Sequence, residues 1–288
     1  MQRSLVGSEM CIRDRDVETN GCGEFLASDM MKYVDNARVL GLGETMRFME
    51  CCEGEKRMAD KLELFAKKHI DGHAPGIRGK EVQAYRLAGV ENDHECSTAE
   101  EVLDKLRAGL HIYVREGSGA KNLETLIKTM LDAGVCLDRC AFCTDDKHVE
   151  EIRKEGHIST CIRKAIALGV PVAKAYKMGS YQAAEFYGLK NYGAIGAGYR
   201  ADIVFLDDLE QVRPLDVMKD GRILTEEDYA KDYSVPVPDE LLHTVHVGEV
   251  TKEKIRLSCD GKTDVIQMNP HQLSLIHISE PTRLRCIS

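Results

Sequence analysis

Two histidines and two carboxylates carry the strongest chemical signal in the sequence. Glu44, His73, His94 and Asp145 each stand at or just after the end of a short apolar run that is typical of a buried strand. Imidazole nitrogens and carboxylate oxygens are ligands that Zn, Fe(II) and Mn(II) accept. If the four runs are neighbouring strands, these side chains converge, and a carboxylate between two ions would let them share and activate one water. Asp145 could then accept a proton from that water as the general base.

A repeated unit of strand, polar residue and helix places these four residues. The strand-like runs between Asn36 and His148 are ARVLGLGE, HIDGHAP, GVENDHEC, LHIYVREGS and LDRCAFCTDD. A helical stretch follows each run, and strands that alternate with helices predict a parallel sheet. Polar groups at the carboxyl end of every strand predict a (β/α) barrel with its site on the top face. The fold class is therefore α/β, a partial TIM-like (β/α)8 barrel; the resemblance described below implies that it is of the metal-dependent hydrolase type.

The barrel is expected to be incomplete. A closed barrel of this kind has eight strands, whereas the sequence shows about five strand-like runs. An open, doubly wound sheet is the alternative. That fold would require a glycine-rich phosphate turn after a strand, and GLGETM lacks the third glycine of G-x-G-x-x-G.

Local signals mark one helix and one hairpin. Ser97, followed three residues later by Glu100, predicts a capping box at the start of the third helix, and Gly109 predicts its end. Beyond Leu189 the chain is rich in glycine and alternates apolar with polar residues, and it contains the hairpin signal Asp220-Gly221. These features indicate a small β subdomain that follows the barrel.

The predicted organisation has four parts. Residues 16–190 form the C-terminal part of the barrel, and residues 191–272 form the small, incomplete β subdomain. Residues 1–15 and 273–288 share no periodicity with their neighbours and resemble translated adapter sequence joined to an interrupted gene. We therefore expect these ends to be foreign and the site to be incomplete. The alternative is that they are ordinary termini.

Composition limits the classes of protein that the chain can represent. Its 288 residues are 43% hydrophobic and 30% charged, which is typical of a globular protein, and its net charge of −9 disfavours nucleic-acid partners. No apolar run reaches the ~20 residues of a membrane span, so no membrane partner is expected. The 11 cysteines are scattered and no secretory signal is visible, which predicts reduced thiols and a cytoplasmic location.

Other metal-capable residues have simpler interpretations. Cys136, Cys140 and Cys143 could bind a metal, but no second ligand pair has zinc-site spacing, so buried core cysteines are the favoured interpretation. Asp146 is a candidate N-cap for the next helix. Four histidines are left without a role: His69, His111, His148 and His157. His243 and His246 form an H-x-x-H pair near the C-terminus, which we do not assign to metal.

The motifs together resemble one protein family. The strings GLGE, IDGHAPG, DHECSTAEE, REGSGAKN, CTDDKH and KEGHI occur in this order and at the intervals found in bacterial and archaeal adenine deaminases of the amidohydrolase superfamily. The resemblance covers about Asp16 to Gly221. It implies hydrolytic deamination of adenine to hypoxanthine and ammonia by a metal-activated hydroxide. It also implies two divalent metal ions, Mn or Fe with Zn as an alternative, a small purine substrate, and a homo-oligomer for the full-length enzyme.

The resemblance also implies roles for individual residues. Glu44 matches the bridging carboxylate of the fourth barrel strand, His73 and His94 match the ligands of the fifth and sixth strands, and Asp145 matches the eighth-strand ligand and proton acceptor. Glu95 is the candidate for handling a proton at a purine ring nitrogen. Three further residues stand where substrate contacts would lie: Arg115, Glu116 and Ser118.

Two departures from the family pattern bear on activity. The first-strand H-x-H pair has no counterpart here, and RFMECCEGE replaces an expected Phe-Pro-Gly pattern. Two alternatives to an adenine deaminase therefore stay open. One is another amidohydrolase that acts on a cyclic amide or an N-acyl substrate. The other is an inactive partial barrel, with exposed sheet edges that favour aggregation.

Overall fold

Six parallel strands follow one another in chain order along an arc. The computed structural model describes residues 4–6, 25–231, 234–242, 248–256, 266–268 and 275–277. The six strands are β1 (Ser4–Val6), β2 (Val39–Thr45), β3 (His69–Gly72), β4 (Asn92–Asp93), β5 (His111–Arg115) and β6 (Cys140–Cys143). They form two three-stranded parallel sheets, β1-β2-β3 and β4-β5-β6.

Backbone hydrogen bonds at Glu91 join the two sheets. The amide of Glu91 donates to the carbonyl oxygen of Ile70 at 3.0 Å, and the Glu91 carbonyl accepts from the amide of His111 at 2.9 Å. The strands therefore continue from β3 to β5 without a break in their order. This sequential parallel arrangement, with helices between the strands, is the expected partial (β/α) barrel.

Helices connect the strands and cover the outside of the arc. In the barrel region they are α1 (Ala27–Val34), α2 (Phe48–Glu53), α3 (Lys56–Leu64), α4 (Lys80–Leu87), α5 (Ala99–Arg107), α6 (Leu123–Asp132), α7 (Val149–Glu155), α8 (Ile158–Ala167), α9 (Val172–Gly179) and α10 (Tyr181–Phe186). Their apolar faces pack with strand residues in two buried clusters, one containing Leu42, Phe65 and Ile70 and the other Ile112, Leu126 and Phe142. Packing against the strands, rather than helix propensity alone, therefore fixes where these helices lie.

The predicted capping box of α5 is wrong by one residue. Thr98 is the N-cap and accepts a hydrogen bond from the amide of Glu101 at 3.3 Å, while the Glu101 carboxylate accepts from the amide of Ser97 at 2.9 Å. Ser97 and Thr98 are both good caps, so the sequence alone did not distinguish the two registers. The predicted end of the helix is confirmed, because Gly109 follows it with a φ of 83°.

A three-stranded antiparallel sheet follows the barrel region. It consists of β7 (Ile203–Leu206), β8 (Pro214–Lys219) and β9 (Arg222–Ile223). The Asp220-Gly221 hairpin is confirmed, with φ angles of 51° and 78° at the two turn residues, as a two-residue type I′ turn requires.

The remaining described elements are short. They are α11 (Glu226–Ala230), α12 (Asp239–Leu242), α13 (Lys252–Ile255), β10 (Ile266–Met268) and β11 (Leu275–His277), the last two paired antiparallel. The foreign origin of residues 1–15 and 273–288, and the domain boundaries drawn from it, stay predictions.

His111 lies at the amino end of β5, the end of the barrel away from the predicted site. It lines a cavity of about 320 Å³ together with His69, Arg86, Glu91 and Arg139. Burial and the charge of Arg139 lower the pKa of His111 to about 4, although Glu91 acts in the opposite direction. The half-buried imidazole is therefore neutral at neutral pH.

We expect His111 to make the protein less stable in mild acid. Its pKa in the folded chain lies below the unfolded value of about 6.5, so the unfolded state binds the proton first, and stability falls as the pH drops from about 6.5 towards 4. The loss is on the order of 1 kcal/mol, less than the shift implies, because the ring is partly exposed to solvent. Urea unfolding at pH 7.5 and pH 5 would measure it. His111→Gln should reduce the difference between the two pH values, and an undiminished difference would exclude this cause.

Candidate metal centre

The carboxyl ends of the barrel strands bring five chemically active side chains to one edge. Glu44 lies near the end of β2, and His73 directly follows β3. His94 directly follows β4, Arg115 ends β5, and Asp145 lies just after β6. Because the strands are parallel and in chain order, residues that are far apart in the sequence become neighbours here.

Glu44, His73 and His94 form a compact group of ligand atoms. Glu44 Oε2 lies 2.8 Å from His73 Nδ1 and 3.6 Å from His94 Nε2. The two imidazole rings are 5.3 Å apart between centroids and inclined at 70°. One donor atom from each of the three residues lies within 4.8 Å of the others. A single carboxylate therefore faces both histidines.

A second group shares His94 with the first. Donor atoms of His94, Glu95 and Asp145 also lie within 4.8 Å of one another. Glu95 Oε1 is 3.6 Å from His94 Nε2 and 3.7 Å from His73 Nδ1. The structure thus brings together all the predicted metal-ligating residues, and it also places the candidate proton-handling residue Glu95 among them.

The donor atoms fit a divalent metal ion. His73 Nδ1 is buried, and among the described residues it makes no hydrogen bond of acceptable geometry although Glu44 is close. A buried nitrogen without a hydrogen-bond partner is costly, and a ligand bound at this atom would remove that cost. Two imidazole nitrogens with carboxylate oxygens are the donor set that Zn, Fe(II) and Mn(II) accept.

The electrostatics of the site keep Glu44 ionised. Burial raises the pKa of its carboxyl, but the close imidazoles of His73 and His94 and the charge of Arg115 outweigh this, so that the net pKa is lowered. A carboxylate must be deprotonated to bind a metal. Glu44 therefore stands ready as a ligand at neutral pH.

Arg115 joins the two carboxylates for which a catalytic role is predicted. Its side chain is only 1% exposed, and Nη1 donates to Glu95 Oε1 and, at 3.0 Å, to Asp145 Oδ2. Burial lowers the pKa of Arg115, yet the charges of Glu95 and Asp145 raise it more. Asp145 has a φ of 52°, a left-handed conformation that aspartate tolerates better than most residues. This turn aims the carboxylate at Arg115.

Glu116 and Ser118, expected to contact substrate, tie the loop after β5 to neighbouring helices. The buried Glu116 carboxylate accepts from Lys164 Nζ at 2.6 Å. Ser118 donates its hydroxyl hydrogen to Glu151 and accepts from the amide of His148 at 2.8 Å. Both residues thus stabilise the rim of the site, and their contact with substrate stays a prediction.

Sequence reasoning missed two supports beneath the donor atoms. The Tyr85 hydroxyl accepts from the amide of His73 at 3.0 Å and donates to the carbonyl of Thr45 at 2.8 Å. Asp93 and Lys105, both fully buried, form an ion pair with a separation of 2.9 Å. A signal for Lys105 existed, because it lies one helical turn after the buried Val102 on the apolar face of α5.

The other candidate residues have structural partners. His148 is the N-cap of α7, so the assignment of that role to Asp146 is wrong. Cys140 is buried as expected, whereas Cys136 is exposed and its thiol donates to Asp138 at 2.9 Å. The interpretation of that cluster as core cysteines is therefore wrong for Cys136, because the 3-10 turn before β6 carries it to the surface.

The unassigned histidines lie outside the cluster of donor atoms. His69 Nδ1 is 2.6 Å from Glu91, and His157 Nε2 is 2.7 Å from the Thr144 hydroxyl. His243 and His246 lie outside the described residues.

Among the described helices, none combines the length and the apolar composition needed to cross a bilayer.

Comparison with known proteins places these features in a family. The amidohydrolase family matches residues 53–224. The chain is 39% identical to an adenine deaminase of Desulfitobacterium hafniense, covering 96% of this chain and 48% of that protein. It is 40% identical to an adenine deaminase of Clostridium acetobutylicum, covering 88% of this chain and 45% of that protein. The chain thus spans about half the length of the curated relatives it matches.

A solved structure supports the fold. A beta-aspartyl dipeptidase from Fervidobacterium islandicum has a TM-score of 0.53 to this chain at 17% sequence identity, covering 72% of this chain and 63% of that one. Similarity at this level concerns the fold alone. The family match over residues 53–224 leads to one conclusion: the chain belongs to the amidohydrolase family.

Proposed function

We propose that the protein takes part in the hydrolytic deamination of adenine to hypoxanthine and ammonia. The observation that carries this proposal is the cluster of Glu44, His73 and His94 with Glu95 and Asp145 at the strand ends. The sequence identity of 39% and 40% to two adenine deaminases supports the choice of substrate. The seven free cysteines among the described residues suit a cytoplasmic enzyme.

Four of these residues would hold the metal. Amidohydrolases depend on divalent metal ions, and we propose two ions, Mn or Fe with Zn as an alternative. Glu44, His73, His94 and Asp145 would supply the protein ligands. When bound, such ions would lower the pKa of a coordinated water towards about 7 and so supply a nucleophile at neutral pH.

Asp145 would accept the proton that the attacking water loses as its oxygen bonds to C6 of adenine. Arg115 holds Oδ2 of this carboxylate at 3.0 Å, so the carboxylate is fixed in place before the proton arrives. A base that is already oriented contributes about 10²- to 10⁴-fold to the rate of such a step.

Glu95 would deliver a proton to the purine ring. Arg115 donates to Glu95 Oε1 and so holds this carboxylate in place beside the site. Glu95, carrying a proton, would pass it to a ring nitrogen, and Asp145 would pass the proton that it took from the water to the amine, so that ammonia leaves as the C6–N bond breaks. The proton of the C6 hydroxyl would return to Glu95 as the C6 carbonyl forms. Glu116 and Ser118 lie on the rim, where we propose that the purine binds, and Arg115 would act through the two carboxylates.

An assay of ammonia release tests this function. The 288-residue chain would be loaded with Mn(II) or Fe(II) and offered adenine, cytosine or dihydroorotate. We expect turnover of adenine alone. Turnover of dihydroorotate would favour an amidohydrolase of cyclic amides, and no turnover by either metal-loaded protein would contradict the proposal.

A further inference from the structure

A buried ion pair lies directly beneath the candidate metal centre. Asp93 and Lys105 are both 0% exposed, and Lys105 Nζ lies 2.9 Å from Asp93 Oδ2. Removing two charges from water is costly unless their geometry is good and further hydrogen bonds satisfy them. The location suggests what the pair does, because Asp93 immediately precedes His94 in the chain.

The pair connects the loops that carry the two histidines. Asp93 Oδ1 accepts from the amide of Ala74 at 2.8 Å, and Lys105 Nζ donates to the carbonyl of the same residue at 2.6 Å. Asp93 Oδ2 also accepts from the amide of Glu95 at 3.0 Å. Ala74 follows His73, and Glu95 follows His94, so one ion pair contacts the neighbours of both imidazoles.

Pairing between the strands does little to fix the separation of His73 and His94. Within the described part of the sheets, β3 and β4 are not paired as hydrogen-bonded neighbours, and one backbone hydrogen bond, from the amide of Glu91 to the carbonyl of Ile70, joins them at their amino ends. At the carboxyl ends the links come from side chains. Asn92 Oδ1 accepts from the amide of Gly72 at 2.9 Å, and the Asp93–Lys105 pair lies next to it.

We propose that Lys105 is a positioning residue for the metal centre: through Asp93 and the carbonyl of Ala74 it fixes the separation of His73 and His94. This inference rests on the proposed metal site. Lys105 Nζ donates to the Ala74 carbonyl and to Asp93 Oδ2, so Lys105 would act on the metal centre through the loops that it joins. The pair thus sets the distance between the two imidazole ligands.

Metal binding by a charge-removing variant tests the proposal. Lys105→Met leaves the Asp93 carboxylate without its cation, so the loop that carries Ala74 is released. We expect the affinity for Mn(II), measured by competition with a chelator, to fall by about 10- to 100-fold, as for other groups that orient metal ligands. The visible absorption spectrum of the Co(II)-loaded chain should also change, because it reports ligand geometry.

A matched control separates positioning from general destabilisation. Lys61 is buried as well, 3% exposed on α3, and it does not directly follow or precede any of the metal-ligating residues in the chain. Lys61→Met should lower the thermal midpoint while leaving Mn(II) affinity and the Co(II) spectrum unchanged. Equal effects of the two variants on affinity would overturn the proposal, and so would an unchanged affinity in Lys105→Met.

A second variant tests the proposal if Lys105→Met does not fold. If Lys105→Met gives no folded protein, Lys105→Gln keeps a hydrogen-bond donor of similar length without the charge. A Mn(II) affinity and Co(II) spectrum like those of the unsubstituted chain would then overturn the role of Lys105. Failure of the unsubstituted chain itself to bind metal would instead contradict the proposed function, so the two failures are distinguishable.

Discussion

Replacing Glu44 with glutamine is expected to weaken the binding of divalent metal by more than about 100-fold, beyond the usual effect of residues that only orient ligands. Glu44 Oε2 lies 2.8 Å from His73 Nδ1 and 3.6 Å from His94 Nε2, so its negative charge is close to both imidazole ligands. Glutamine offers a neutral oxygen in place of the carboxylate. Isothermal titration with Mn(II), or competition with a chelator, measures the loss.

The chain contains a matched control for this substitution. Glu91 makes the same kind of contact, 2.6 Å from His69 Nδ1, but at the amino end of the barrel strands. Glu91→Gln therefore removes one carboxylate from a carboxylate–histidine pair without touching the donor cluster. Its metal affinity should equal that of the unsubstituted chain. Equal losses in both variants, or none in Glu44→Gln, would contradict the proposed ligand.

The location of the candidate site was predictable from periodicity. Glu44, His73, His94 and Asp145 each follow an apolar run of strand length, and parallel strands in chain order place their carboxyl ends side by side. Alternation and run length are local properties, so they can be read without knowing which strands pair. The hairpin at Asp220-Gly221 was predictable for the same reason, because two adjacent residues determine the turn.

The contacts between side chains were not predictable in this way. The ion pairs of Arg115 had no sequence signal: its guanidinium lies between Glu95 and Asp145, which come from the two flanking strand ends, and its contact with substrate stays a prediction. The strand register fixes these ion pairs, and a single sequence carries no signal for register across a parallel pair. Tyr85 likewise reaches Thr45 and His73 from α4 because the helix packs against both strands, which no local pattern reveals.

The N-cap of α5 and the cysteines around the start of β6 show a second limit of prediction from the sequence. Ser97 and Thr98 both suit an N-cap, and the structure uses Thr98 because its hydroxyl meets the amide of Glu101. Cys136 and Cys140 lie on either side of one short turn, yet the Cys136 thiol is exposed and the Cys140 thiol is buried. Where two neighbouring residues satisfy the same local rule, packing decides between them.

Substituting Asp145 by asparagine is expected to reduce adenine deamination by about 10²- to 10⁴-fold or more, the contribution of a general base, while the chain retains much of its metal. The amide cannot accept the proton of the attacking water. Its oxygen can still accept from Arg115, which now bonds Oδ2 at 3.0 Å, so the local fold should persist. Glu44, His73 and His94 keep three donors within 4.8 Å of one another, which preserves most of the metal site.

Turnover and metal content must therefore be measured together on the same preparations. Asp138 provides the control, because it lies just before β6, the strand that Asp145 follows, and it pairs with Lys174 on the exposed surface. Asp138→Asn should leave both quantities unchanged. If Asp145→Asn lost activity only in proportion to the metal that it lost, Asp145 would be assigned to metal binding alone. Retention of activity would remove it from the reaction and leave Glu95, already joined to the same arginine, as the carboxylate that accepts the proton.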